Sequence, residues 1–258
     1  MIPIKTPQEI EKMRASCKLA SAILEKLSGM LCPGITTKDV DHSGAKLMEQ
    51  AGCKSAFLGY RRFPGHICIS VNDEVVHGIG GSRRIQYGDV VKLDIGVILD
   101  GFVGDTAATI PIGLVREDVQ RLLSVTEDAL SKGIENAREG RRLNELCAAI
   151  QDEVESNGFS VVKEFVGHGV GRHLHEEPQI PNYRTSGATA KLKAGMTLAI
   201  EPMVNMGRAA VKVLDDDWTV VTADHLPSAH FEHTVLVTKG EPEILTWREK
   251  TSSKLRAR

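Results

Sequence analysis

No stretch of this 258-residue chain is apolar for long enough to cross a bilayer, and the opening MIPIKTPQEIEKMR lacks the apolar centre of a signal peptide. The expected location is the cytoplasm, with no membrane partner. Charge of neither sign is in excess: the formal net charge is −2, which gives no electrostatic basis for binding DNA or an anionic surface. Cysteine is sparse. Cys17, Cys32, Cys53, Cys68 and Cys147 are odd in number and contain no CxxC pair, which argues against a disulfide framework and for reduced thiols. No Pro/Gly/Ser-rich linker interrupts the chain, so residues 1–247 are read as one domain. The tail 248–258 is basic, with Arg248, Lys250, Lys254, Arg256 and Arg258. A frayed, solvated end is expected there, with contact to ribosomal RNA as the alternative.

What is present suits a globular enzyme-sized domain: 41% hydrophobic and 26% charged residues, over a length that buries a sizeable core. Thr6-Pro7-Gln8-Glu9 reads as a capping box with proline in the first turn. Ile10, Met13, Cys17, Ala20, Leu24 and Leu27 then recur at helical spacing. A second helix is predicted over 37–50, and two more over 116–138 and 143–156. Strands are predicted over 67–71, 90–98, 101–110, 161–166, 196–204, 218–222 and 232–238. The segments 34–52 and 140–158 have equal length, begin and end on glycine, and place Val40 opposite Leu146 and Met48 opposite Val154. This suggests two similar α/β halves, about 1–110 and 111–247, facing each other.

The segment from Asp94 to Asp105 carries the first chemistry. Asp100-Gly101 is a two-residue hairpin signal. If Leu99 pairs with Phe102, then Asp94 pairs with Ala107 and Gly96 with Asp105. The period of two puts both aspartates on one sheet face, about 7 Å apart. Two carboxylates so placed repel unless a cation lies between them. A solvated face is the other reading of this hairpin alone.

Three histidines, His168, His173 and His175, fall within eight residues between glycines and Glu176-Glu177-Pro178. A dinucleotide loop is rejected here, because the glycine spacing and the strand–turn–helix context are wrong. Glu201 and Glu232 each interrupt a run that otherwise reads as buried strand, and buried glutamates need a partner. Shared metal coordination by Asp94, Asp105, His168, Glu201 and Glu232 explains all five at once. Oxygen ligands with one imidazole suit Mn²⁺, Fe²⁺, Co²⁺ or Zn²⁺, and four carboxylates balance two divalent ions.

With Asn72-Asp-Glu-Val-Val-His77-Gly78, the Asp94–Asp105 hairpin, Gly167-His168-Gly169, His175-Glu-Glu-Pro178, Glu201-Pro-Met203 and Glu232-His-Thr234, the chain resembles the short, type I methionine aminopeptidases of the M24 metallopeptidases over essentially its whole length. The resemblance implies an α/β (α+β), pseudo-symmetric pita-bread fold, with a curved antiparallel sheet covered by two helix pairs. It implies two metals held by Asp94, Asp105, His168, Glu201 and Glu232, with Asp105 and Glu232 bridging. His77 and His175 would contact substrate, and Glu201 would carry the proton in hydrolysis of the first peptide bond. Tyr60, Phe63, Cys68, Leu174 and Trp218 would line the methionine pocket. The implied substrate is the N-terminal methionine of nascent polypeptides, with a small second residue preferred, and the expected form is a monomer. Glu201 follows His175 by only 26 positions, which leaves no room for the type II helical insertion.

Four positions depart from the family pattern: Gly80 for proline, Lys92 for asparagine, Val103 for histidine, and Leu174 for an aromatic. Lys92 should share the face of Asp94 and alter its field. The alternatives are a related aminopeptidase of other specificity, such as proline-directed cleavage, and a non-catalytic binding protein on the same fold. A substrate panel separates the first, and retention of all five candidate ligands argues against the second.

Overall fold

The computed structural model describes residues 2–187 and 189–247. The basic tail, and with it the expectation of a ribosomal contact, lies outside the described residues. The first half runs α1 (Pro7–Met30), α2 (Thr37–Gln50), β1 (Lys54–Ser55), β2 (Cys68–Val71), β3 (Glu74–Val76), β4 (Val90–Leu99) and β5 (Phe102–Pro111). The second runs α3 (Glu117–Glu135), α4 (Leu143–Ser156), β6 (Ser160–Val161), β7 (Gly167–Gly169), β8 (Glu176–Ile180), β9 (Thr197–Ile200) and β10 (Met203–Asn205). It closes with β11 (Val211–Val213), β12 (Val220–Thr222), β13 (Ser228–His230), β14 (His233–Leu236) and β15 (Glu243–Ile244).

The capping box forms as expected. Glu9 N–H donates to Thr6 Oγ1 and Thr6 N–H donates to a Glu9 carboxylate oxygen. The face of α1 carrying Met13, Cys17, Ala20, Leu24 and Leu27 is buried, against α2, β4 and β5. In the second half α3 and α4 pair and cover β6, β9, β10 and β13. The internal duplication reads through to the backbone. Gly34 and Gly140 have φ of +97° and +89°, and Gly52 and Gly158 have +67° and +78°, left-handed positions that favour glycine. Val40, Met48, Leu146 and Val154 are all buried.

The strands form antiparallel ladders: β1–β4–β2 with β5 beside β4, β15–β14–β9–β7–β8, and two three-stranded sheets, β13–β10–β6 and β11–β12–β3. The two larger sheets meet where Glu232 N–H donates to Ala107 O at 3.0 Å. Thr234 Oγ1 also donates to Asp105 O at 2.8 Å and Thr106 Oγ1 to Glu232 O at 2.9 Å. One apolar core, from Ala20 to Val237, runs through both halves. Each half thus carries one helix pair packed on its strands, the layout expected of the pita-bread fold.

Three strand expectations need correction. The run 161–166 is not one strand: pairing ends at Val161, and the chain bends to bring Glu164–Val166 to a cavity wall. The run 196–204 breaks at Glu201-Pro202. Ile200 pairs with His233, whereas Met203 pairs with His230 in a different sheet. Proline has no N–H to continue a ladder, so the chain changes sheets there. Residues 232–238 give only His233–Leu236, and β13 precedes them as a separate strand.

Candidate metal centre

The β4–β5 hairpin has the register expected from Asp100-Gly101. Leu99 pairs with Phe102, Asp94 with Ala107 and Gly96 with Asp105. Both turn residues have positive φ, 50° and 77°, as a type I′ turn requires. Asp94 and Asp105 therefore share a face, and the contact between β5 and β14 adds Glu232. One carboxylate oxygen from each of these three lies within 4.8 Å of the others. Asp94 Oδ1, Asp105 Oδ1 and Glu232 Oε1 are buried with no hydrogen-bond partner. Three unpartnered carboxylate oxygens crowded in a dry site repel one another unless a cation lies among them, so the donor set fits divalent metal.

His168 completes one side. Gly167 and Gly169 let β7 pass between β9 and β8: a Cβ at either would stand 2.4 Å from Ala199 O or 2.2 Å from Glu177 O. His168 Nδ1 lies 3.0 Å from Gly169 O, which makes it the protonated nitrogen and leaves the Nε2 lone pair facing inward. That Nε2 is 3.4 Å from Glu201 Oε1 and 3.8 Å from Asp105 Oδ2. Burial draws the His168 pKa down to about 3, with His175 adding to the effect. The ring is therefore neutral at pH 7, and its approach to Glu201 is no ion pair. It is two lone-pair donors aimed at one point.

Glu201 reaches that point because the chain leaves β9 at Pro202. His230, two residues before Glu232, holds Nε2 3.3 Å from Glu201 Oε2. A strand starting at residue 232, as the sequence predicts, leaves His230 outside the site. The period-two alternation from Ser228 to Thr234 was the available signal.

Burial pushes all four carboxyls up from their ordinary range: Asp94 to about 7, Glu201 to about 8, and Asp105 and Glu232 well above it. For Asp105, the charges of Asp94 and Glu201 add to desolvation. These shifts belong to carboxyls facing one another without a cation.

All five expected ligands and all seven expected contact residues line one cavity of about 560 Å³. Phe63, Cys68, Leu174, Tyr60 and Trp218 belong to a single apolar cluster beside the carboxylates. Tyr60 Oη and His175 Nδ1 are 2.7 Å apart, and the His175 and His168 rings are 4.2 Å apart between centroids. His77 sits at φ 60°, edge-on to Phe165 at 5.3 Å. Burial lowers its pKa to about 4. Backbone strain of this kind gathers at functional sites. Phe165 and Arg61 also line the cavity and were not expected from the sequence. Lys92 is 1% exposed and shares the Asp94 face as expected. Its Nζ donates to Asn72 O at 2.6 Å and Ser228 O at 2.8 Å. Lys92 thereby ties the turn before His77 to the strand bearing His230. Gly80 lies against α2, where a Cβ would stand 2.9 Å from Asp41 Cβ.

A pita-bread fold with a carboxylate-and-imidazole cluster at the floor of a cavity defines a metal-dependent hydrolase. Residues 11–239 match the model of metallopeptidase family M24, and the chain belongs to that family. It is 48% identical over 246 residues to methionine aminopeptidase 1 of Bacillus subtilis, covering 95% of this chain and 99% of that protein. The crystal structure of methionine aminopeptidase from Thermotoga maritima superposes with a TM-score of 0.94 at 44% identity, covering 96% of this chain and all of that one. Prolidase from Pyrococcus furiosus shares the fold at TM-score 0.78 and 25% identity, with 66% of its length covered. Divalent metal ions are the cofactors of this chain.

Proposed function

We propose that the chain is a methionyl aminopeptidase that removes the N-terminal methionine of new polypeptides in the cytoplasm, acting as a monomeric single domain over residues 1–247. The carrying observation is the convergence of unpartnered oxygens from Asp94, Asp105 and Glu232 beside an apolar wall. Asp94, Asp105, His168, Glu201 and Glu232 would hold two divalent ions. Bound there, such ions polarise a carbonyl and make water nucleophilic at neutral pH.

The rest is done by the chain's own groups. Phe63, Cys68, Leu174 and Trp218 exclude water and seat the methionine side chain. Leu174, where the family has an aromatic, leaves that pocket aliphatic on one side. Tyr60 fixes Nδ1 of His175, so the opposite nitrogen is free to donate to the developing oxyanion. Glu201, with His168 and His230 against its two oxygens, receives a proton and returns it to the leaving amine. His77, neutral at working pH, is held by Phe165 and Trp218 to accept from or donate to the scissile amide.

The test is amino-acid release from Met-Ala-Ser, Met-Lys-Ser and Pro-Ala-Ser by metal-loaded protein. Release of methionine from Met-Ala-Ser alone is expected. Release of proline alone would replace this reading with the proline-directed one, and no release from any of the three would sink both.

A further inference from the structure

Tyr60, Arg61 and Arg62 form a one-turn 3₁₀ segment on the cavity rim. Arg61 lies at φ 45° and ψ 31°, and Arg62 follows at φ 74°. Consecutive left-handed non-glycine residues are strained, because each Cβ crowds the following carbonyl oxygen. The turn is held regardless by Gly59 N–H to Phe63 O at 2.8 Å and Phe63 N–H to Tyr60 O at 2.8 Å. The strained backbone turns Arg61 to line the cavity, with its guanidinium carbon 5.5 Å from the Tyr60 ring centre.

Other arginines are spoken for: Arg14 holds Glu243, Arg172 holds Glu9 and Arg184 holds Asp152. Among the described residues no carboxylate oxygen lies within 4.0 Å of Arg61. Glu164 and Glu177 line the same cavity from other segments, and Glu164 instead accepts from Lys163 N–H. The Arg61 charge nonetheless reaches the site, adding to desolvation in lowering the His175 pKa. An unpaired guanidinium beside a peptide-binding cavity is a fork shaped for a carboxylate. Tyr60 stands between Arg61 and His175, whose ring is 5.2 Å from that of Tyr60. An extended peptide advances about 3.5 Å per residue. The two spacings about Tyr60 bound the reach from His175 to the Arg61 guanidinium at about 11 Å, a span the side chain of the third residue can cover from a first carbonyl beside His175.

We propose that Arg61 is a specificity-determining residue that favours substrates with an acidic side chain at the third position, through a guanidinium–carboxylate pair at the rim. This rests on the aminopeptidase reading above.

The experiment measures kcat/KM for the amide-capped peptides Met-Ala-Glu-Ser, Met-Ala-Gln-Ser and Met-Ala-Lys-Ser, with wild type, Arg61→Gln, Arg61→Gly and Arg62→Gln. Glycine suits the left-handed backbone, so Arg61→Gly keeps the turn. Wild type should prefer the glutamate peptide over the glutamine peptide by about fivefold, as expected for a partly solvated ion pair. Raised salt should shrink this preference. Both Arg61 variants should bring the ratio to about one, while Arg62→Gln, altering a side chain outside the cavity, should retain it. A wild-type ratio of one, or a preference that survives in both Arg61 variants, overturns the proposal alone. No release from any peptide by wild type overturns the aminopeptidase reading and this proposal with it.

Discussion

Replacing Lys92 with methionine isolates one buried charge whose energetics the structure defines. Lys92 is 1% exposed, and both acceptors of its Nζ are main-chain carbonyls. A neutral amine has two N–H groups, enough for both. Desolvation draws its pKa from 10.5 down to about 7, against the partial support of Glu74 and Asp73. The unfolded chain binds the proton up to about 10.5, and the folded chain releases it near 7. Between these values the unfolded state holds more protons, so stability rises with pH. Integrating that difference, the unfolding free energy of wild type minus that of Lys92→Met should increase by about 2 kcal/mol between pH 7 and pH 9. The site carboxyls titrate in both proteins and cancel. Urea unfolding in chelator, followed by the fluorescence of Trp218 and Trp247, gives this difference. A difference that is flat or falls with pH would show that Lys92 is folded in its charged form, and the reasoning would fail.

Two further outcomes follow from the same structure. In chelator, the raised pKa values of Asp94, Glu201, Asp105 and Glu232 mean the folded state binds more protons, so stability falls as pH rises. Below pH 6.5 the lowered pKa values of His77, His168 and His230 oppose this, and above pH 7 so does that of Lys92, one group against four carboxyls. The drop should therefore show between pH 6.5 and 8, as a loss of more than about 5 °C in Tm that divalent metal reverses; a metal-insensitive Tm across that range would count against the carboxylate cluster. Gly104→Ala should destabilise by about 3 kcal/mol, because a Cβ there would stand 2.4 Å from the α1 backbone at Ser16. Gly29→Ala, with nothing within 4 Å and in the last turns of α1, should be neutral or stabilising by up to about 1 kcal/mol; equal Tm changes in the two variants would refute the close packing of α1 on β5.

The parts of the site legible in the sequence were those set by local rules. Asp100-Gly101 determines a two-residue turn, and the turn determines the register that places Asp94 and Asp105 on one face. Thr6 and Glu9 mark where α1 begins, and the paired glycines at 34, 52, 140 and 158 mark the repeat. What was not legible depends on chain segments meeting across the fold. His230 joins Glu201 only because Pro202 sends the chain from one sheet to another. Phe165 reaches His77 because the run after Val161 bends away from strand pairing, although its residues favour a strand. Arg61 is at the rim because a left-handed turn, closed by main-chain bonds to Gly59 and Phe63, overrides the ordinary preference of arginine. The family resemblance supplied the cavity residues that spacing alone left as simple core.

The most direct test of the metal centre is methionine release from Met-Ala-Ser by protein stripped with chelator and titrated with Mn²⁺, Co²⁺, Fe²⁺ or Zn²⁺, with wild type beside Asp105→Asn and Glu201→Gln. Wild type should be inactive when stripped and regain release as metal binds, while Asp105→Asn loses metal affinity and Glu201→Gln turns over at least about a hundredfold more slowly. Undiminished release by stripped protein, or by Asp105→Asn under limiting metal, would contradict a reaction carried out at this carboxylate cluster.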